Sequence, residues 1–173
     1  MKNIRVCKIA LVLAVALFFS VAVYNNITDH DNSWRFIQQV MTMATIRQDP
    51  DIMWRAISDP AVQFWAYLVI VGAQGLIALL CWIGSLRLLL TLFASDVDFN
   101  KAKNIAILGV TLGFLFYAVG FLIIAGEWFA LWQSRSWNGQ ITIVSLLFFF
   151  GAVLVILMMK DEIIVEDIYG LNR

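Results

Sequence analysis

The chain has 173 residues, 62% of them hydrophobic and only 14% charged, with a mean hydropathy of +0.85. Soluble domains carry about 25% charged residues, so composition alone places this chain in the membrane class. Twelve Lys and Arg balance twelve Asp and Glu, which leaves no global field to attract nucleic acid or another polyanion. A single histidine, His30, and two separated cysteines, Cys7 and Cys81, exclude a bis-histidine haem and a CxxC redox pair, and no metal or other cofactor is indicated.

Four apolar runs follow one another along the chain: Ile9 to Tyr24, Phe64 to Leu86, Ile105 to Ala125 and Ile141 to Met159. A helix needs about 20 residues to cross the hydrocarbon core, so the last three span directly. The first borrows a turn from Cys7 and a snorkelling Lys8. Lipid offers no partners to backbone amides, which makes every run helical. The predicted fold class is therefore an all-α integral membrane protein, a single four-helix bundle over 1–173. Its spans are expected at about 7–24, 61–90, 105–126 and 141–159, with an outer loop 25–62, an inner loop 93–104, an outer loop 127–140 and a cytoplasmic tail 160–173. The first run also has the look of a cleaved signal peptide, with Lys2, Arg5 and Lys8 before an apolar core and Ser20 and Ala22 after it. An uncleaved helix is preferred, because Tyr24 and the asparagines behind it look like an interface.

The long first loop carries helix signals of its own. Asp31, Asn32 and Ser33 can cap Trp34 to Met43, whose Phe36, Ile37, Val40 and Met41 share a face that lies on the membrane or on the bundle mouth. Asp49 with Pro50 starts a short helix through Met53, Trp54 and Ile57, and Asp59 with Pro60 starts the second span. Lys2, Arg5, Lys8, Arg87, Lys101, Lys103, Lys160 and Arg173 fall on one side, against Arg35, Arg47, Arg55 and Arg135 on the other. By the positive-inside rule both termini are expected in the cytoplasm.

Few polar groups interrupt the spans. Gln74 sits between Gly72 and Gly75 in the second span and is expected to hydrogen-bond across helices or to line a narrow polar site. Gly109, Gly113 and Gly120 fall near one face of the third and favour close helix packing within the bundle. The fourth, with Phe148, Phe149 and Phe150, reads as facing lipid or a partner. None of the runs holds Asp or Glu, which argues against a proton relay.

Most of the information lies on the outer face, where Trp34, Trp54, Trp65, Trp128, Trp132 and Trp137 gather. An interfacial aromatic belt accounts for the rings. It does not account for the polar residues among them, and the candidate binding set is Asn26, Asp29, Trp54, Arg55, Gln74, Glu127, Trp128, Trp132, Gln133, Arg135, Trp137 and Asn138. Within it, Glu127 is expected to be partly buried against Arg55 or Arg135. Beyond Lys160, the tail alternates acidic and apolar residues from Asp161 to Tyr169, a pattern that suits either docking or a frayed end.

The segments Asn25-Asn26-Ile27-Thr28-Asp29, Met53-Trp54-Arg55-Ala56-Ile57, and Gly126-Glu127-Trp128-Phe129 continuing to Trp132-Gln133-Ser134 and Trp137-Asn138-Gly139, resemble the bacterial predicted small integral membrane proteins, domain of unknown function twenty-one sixty-five. The resemblance runs over almost the whole chain. It implies a four-helix inner-membrane protein and carries no catalytic assignment. With no catalytic constellation, the expected function is that of an accessory or scaffold subunit of a larger inner-membrane complex, respiratory or transport, or a homo-oligomer, contacted through the Trp-rich face and the fourth helix. The alternative is a binder or channel for a quinone or lipid at the outer mouth. A thiol–quinone oxidoreductase would need outer cysteine pairs that the chain lacks.

Overall fold

The computed structural model describes residues 2–161. Four helices are long and apolar enough to cross a membrane, as expected of the all-α bundle. In chain order the elements are α1 (Lys2–Thr28), α2 (His30–Met41), α3 (Pro50–Met53), α4 (Pro60–Leu90), α5 (Asp96–Leu115) and α6 (Gln140–Met158). A π-helical segment, Phe116–Trp128, continues α5 without a break, and a short 3-10 turn, Leu131–Gln133, follows it. Spans α1, α4, α5 with its π continuation, and α6 form the bundle, in which α1 packs chiefly on α4, α4 on α5 and α5 on α6.

The helix starts obey the capping chemistry of the sequence. Asp49 accepts the Asp51 amide at 3.1 Å and Asp59 accepts the Ala61 amide at 2.8 Å, each just ahead of a proline at the first helical position. At α5 the Ser95 hydroxyl accepts the Asp98 amide at 3.2 Å, which caps the helix, and donates to the Asp98 carboxylate at 2.7 Å. The expected inner loop 93–104 is thus mostly the first turns of α5. Helix α1 likewise outruns its expected end at Tyr24 and continues to Thr28, carrying Asn26 beyond the apolar run.

Two apolar cores result. The first lies between the spans, where Val12, Val15, Ala16 and Phe19 of α1 are fully buried against α4, α5 and α6. Phe19 stacks on Phe150 at 5.5 Å and Tyr117 stacks on Phe150 at 5.7 Å. Phe150 therefore points inward, while Phe148 on the same helix is 76% exposed. The second core lies at the end of the bundle carrying most of the tryptophans. There α2 lays Ile37, Val40 and Met41 over Tyr67, Ala125, Phe129 and Leu131, so its apolar face covers the bundle mouth.

Small residues decide how closely the spans approach. A Cβ at Gly84 would stand 2.7 Å from the Ala106 backbone, one at Gly109 2.8 Å from the Cys81 sulfur, and one at Gly113 2.9 Å from the Phe19 ring. Gly109 and Gly113 thus serve packing within the bundle. Gly120, expected on the same face, meets nothing within 4 Å. It lies in the π-helical segment, where i→i+5 bonding changes the number of residues per turn and moves it off the contact stripe. Gly84→Ala is expected to lower stability by about 1–3 kcal/mol through overpacking. Gly72→Ala, with open space around its Cβ, should stay within about 0.5 kcal/mol of the parent. Thermal unfolding midpoints in a single detergent check the pair.

Candidate functional site

Tyr67, Ile70 and Gln74 follow at i, i+3 and i+7 on α4 and so share one face. That face meets the end of α1 and the underside of α2. Asn26 donates through its side-chain amide to the Gln74 carbonyl oxygen at 2.6 Å and accepts from the Ser33 hydroxyl at 2.8 Å. Tyr67 donates its hydroxyl to the Asn26 backbone carbonyl at 2.9 Å. Three helices are therefore joined by one polar chain. Gln74 is only 4% exposed, yet its NH2 group donates to no described residue.

This chain of bonds borders a void of about 280 Å³ whose polar lining is Asn26, Asn32, Ser33, Tyr67 and Gln74, without a charged group. Beneath α2 lies a second void of about 170 Å³, almost wholly apolar, which shares Phe36, Ile37, Ile70 and Phe121 with the first. A third, of about 570 Å³, is a groove between α4 and the π-helical segment that shares Ala66, Ile70, Phe116, Gly120 and Ile124 with the second. Ile70 borders all three. The sequence places polar atoms at one end of this stack and apolar walls along the rest.

The remaining candidates divide between two rim clusters and exposed positions. The Arg55 guanidinium lies 5.0 Å from the Trp128 ring and 5.6 Å from the Trp54 ring, and it donates to the Trp128 carbonyl at 3.3 Å. Asn138 donates to the Trp132 carbonyl at 3.0 Å, and Trp137 packs edge-on against Phe36 at 5.6 Å. Asp29, Glu127 and Arg135 are exposed. The expected burial of Glu127 against an arginine is corrected, because the chain leaves the π-helical segment with Glu127 turned outward and Arg55 takes the tryptophans instead. Arg55 Nε and Gln133 Oε1 are buried without a hydrogen-bond partner.

The opposite end holds charges that the sequence places only on the cytoplasmic side. Lys8, expected to snorkel, is 1% exposed and donates to the Met159 carbonyl and the Asp161 carboxylate, both at 2.7 Å. Lys103, 3% exposed, donates to the same two groups at 2.8 and 2.6 Å. Arg5 pairs with Asp96 and donates to the Leu92 and Ala94 carbonyls at 3.0 and 2.8 Å. Spacing carries a signal of this clustering. Arg5 and Lys8 stand three residues apart, as do Asn100 and Lys103, and residues so spaced share a helix face. The rest of the tail, 162–173, lies outside the described residues.

The fold defines an integral membrane protein that crosses the bilayer four times. The family model for predicted small integral membrane proteins (DUF2165) matches residues 4–160, and the chain belongs to that family. No curated protein and no solved structure matches it.

Burial pushes the Asp161 carboxyl up, but the hydrogen bonds from Lys103 and Lys8, with their charges, outweigh it and hold the group below the usual carboxylate value. A carboxylate whose folded pKa is depressed adds stability above its unfolded pKa, about 3.9, and that stability is lost as pH falls through the folded value. Asp161→Asn is expected to cost about 3 kcal/mol by leaving two buried ammonium groups without their counter-charge. Unfolding midpoints measured across pH should fall below about pH 4 in the parent and fall less steeply in Asp161→Asn.

Proposed function

We propose that the protein is a non-catalytic binder of one amphiphilic molecule with a small uncharged head, of the quinone or lipid class, held at the tryptophan-rich end. The stack of voids around Ile70 carries this reading. A molecule seated there would set a hydrogen-bonding head beside Asn26 and Gln74, where the Gln74 NH2 offers a donor to a carbonyl or ester oxygen. Its apolar body would follow Phe36, Phe121 and Phe116 toward the groove between α4 and the π-helical segment. An ionic head is disfavoured, since the polar lining holds no counter-charge and an unpaired charge is costly to bury. The lining of these voids has the character of small-molecule sites, which are mostly apolar with a few placed polar groups.

A second reading, an accessory subunit of a larger membrane complex, draws on the rim. Trp54, Trp128 and Trp132 stand exposed there, the first two around the Arg55 guanidinium, and aromatic rings with an arginine are the residues that anchor protein interfaces. The exposed face of α6, with Phe148, would complete the contact. The gathering of Lys2, Arg5, Lys8, Arg87, Lys101, Lys103 and Lys160 toward one end supports placing that end in the cytoplasm of a bacterial inner membrane. A reporter fused after Arg173 should then be active only in the cytosol, and periplasmic activity would reverse the orientation.

Native mass spectrometry of the chain released from mild detergent tests both functional readings. The parent is expected to retain one small hydrophobic molecule. Gln74→Leu should lower retention about tenfold, the equivalent of one lost hydrogen bond. Gly120→Leu, which builds into open space, should abolish retention without lowering the unfolding midpoint. An empty parent, or a Gly120→Leu protein that keeps its ligand, removes the binder reading. A chain that never runs with another protein removes the subunit reading.

A further inference from the structure

At the basic end, a groove of about 410 Å³ runs between the first turns of α5 and the last turn of α6. Lys101, Lys103 and Lys160 line it with Asn100 and Asn104, while Ile107 and Leu157 supply its apolar wall. We propose that this groove seats the phosphate headgroup of an anionic phospholipid from the adjoining leaflet, with an acyl chain lying along Ile107 and Leu157.

Charge and rigidity argue for it together. Lys101, Lys103 and Lys160 line the groove, and the Asp161 carboxylate beside it is shared between Lys103 and Lys8, so among the described residues the wall carries an excess of positive charge. An ammonium group has three protons, and Lys103 directs two of them to Met159 and Asp161. Its ammonium also lies 5.9 Å from the Phe99 ring centre. Exposed Lys101 lies two residues before it on α5. Of the nearby acids, Asp96 is paired with Arg5, while exposed Asp98, three residues before Lys101, keeps its charge and offsets part of the lysines'. Asn100 pins the groove from both directions, donating to the Asp161 carbonyl at 3.1 Å and accepting the Asp161 amide at 3.2 Å. Such a wall is already ordered before a ligand arrives, which lowers the cost of binding.

A free phosphate would satisfy the lysines but leave the apolar wall unused. A phospholipid matches both, and basic pockets between spans are suited to anionic headgroups. The site is separate from the voids around Ile70, which lie at the other end of the bundle and hold no charge, so the two proposals stand or fall apart.

The test uses the full chain in nanodiscs or detergent with phosphatidylglycerol and phosphatidylcholine as probes. Native mass spectrometry should find phosphatidylglycerol retained in clear preference. Lys101→Gln should reduce the preference about fivefold, as should Lys160→Gln, with the unfolding midpoint unchanged for Lys101→Gln. Gly120→Leu should leave the preference intact. Millimolar inorganic phosphate should fail to displace the lipid. Equal retention of the two lipids, or a preference unchanged in the Lys101→Gln, Lys160→Gln double variant, overturns the proposal. Displacement by phosphate alone would make the occupant a soluble anion and overturn it also. A preference that emerges only after Glu162→Gln, Glu166→Gln and Asp167→Asn would instead make the acidic tail the occupant.

Discussion

One carboxylate ties three spans together. Asp161, just beyond α6, receives Lys8 from α1 and Lys103 from α5, and the Met159 carbonyl accepts from the same two lysines. Charged groups so deeply buried are costly unless paired and hydrogen-bonded, and here each needs the others in place. The arrangement forces the start of α1, the start of α5 and the end of α6 to meet at one level. Arg5, bound to Asp96 and to the two carbonyls before it, adds the α4–α5 connection to the same knot.

With that end drawn tight, close packing continues up the bundle only as far as the small residues allow. Gly84 admits the Ala106 backbone, Gly109 admits Cys81 and Gly113 admits the Phe19 ring. Above them the winding of α5 changes and the glycine stripe ends. At Gly120 no neighbour fills the space, and the voids around Ile70 begin there. The molecule is thus polarised along its length: charges and glycines close one end, while α2, aromatic rings and a few amides cover looser packing at the other. Both proposed ligand sites follow from this division, an uncharged head among amides and a phosphate among lysines.

Much of this was legible from local chemistry. Asp49-Pro50 and Asp59-Pro60 begin helices because caps and proline act within a turn of their own position, and the α2 stripe of Ile37, Val40 and Met41 buries the face that its spacing implies. Gln74 is legible as an interhelical polar group, but its partner Asn26 is not, because the sequence assigns Asn26 to the outer loop and only the extension of α1 to Thr28 brings it alongside. Ser95 and Asp98 carry a start signal for α5 that their place in a supposed loop obscured. The fate of Lys8 was not legible, because its partners lie 151 and 153 residues away and a lysine near a span end ordinarily snorkels. The π-helical winding after Leu115 was equally hidden, and it displaced both Gly120 and Glu127 from their expected settings.

The distribution of indole rings has an optical consequence. Trp34, Trp54, Trp65, Trp128, Trp132 and Trp137 lie at or near the end that α2 covers, whereas Trp82, held to the Ser20 hydroxyl at 3.0 Å, is the one placed well along a span. Ultraviolet emission from the unlabelled polypeptide is therefore weighted heavily toward a single pole of the molecule. The chain carries a built-in fluorophore set that reports on its aromatic pole and is nearly blind to its cationic one.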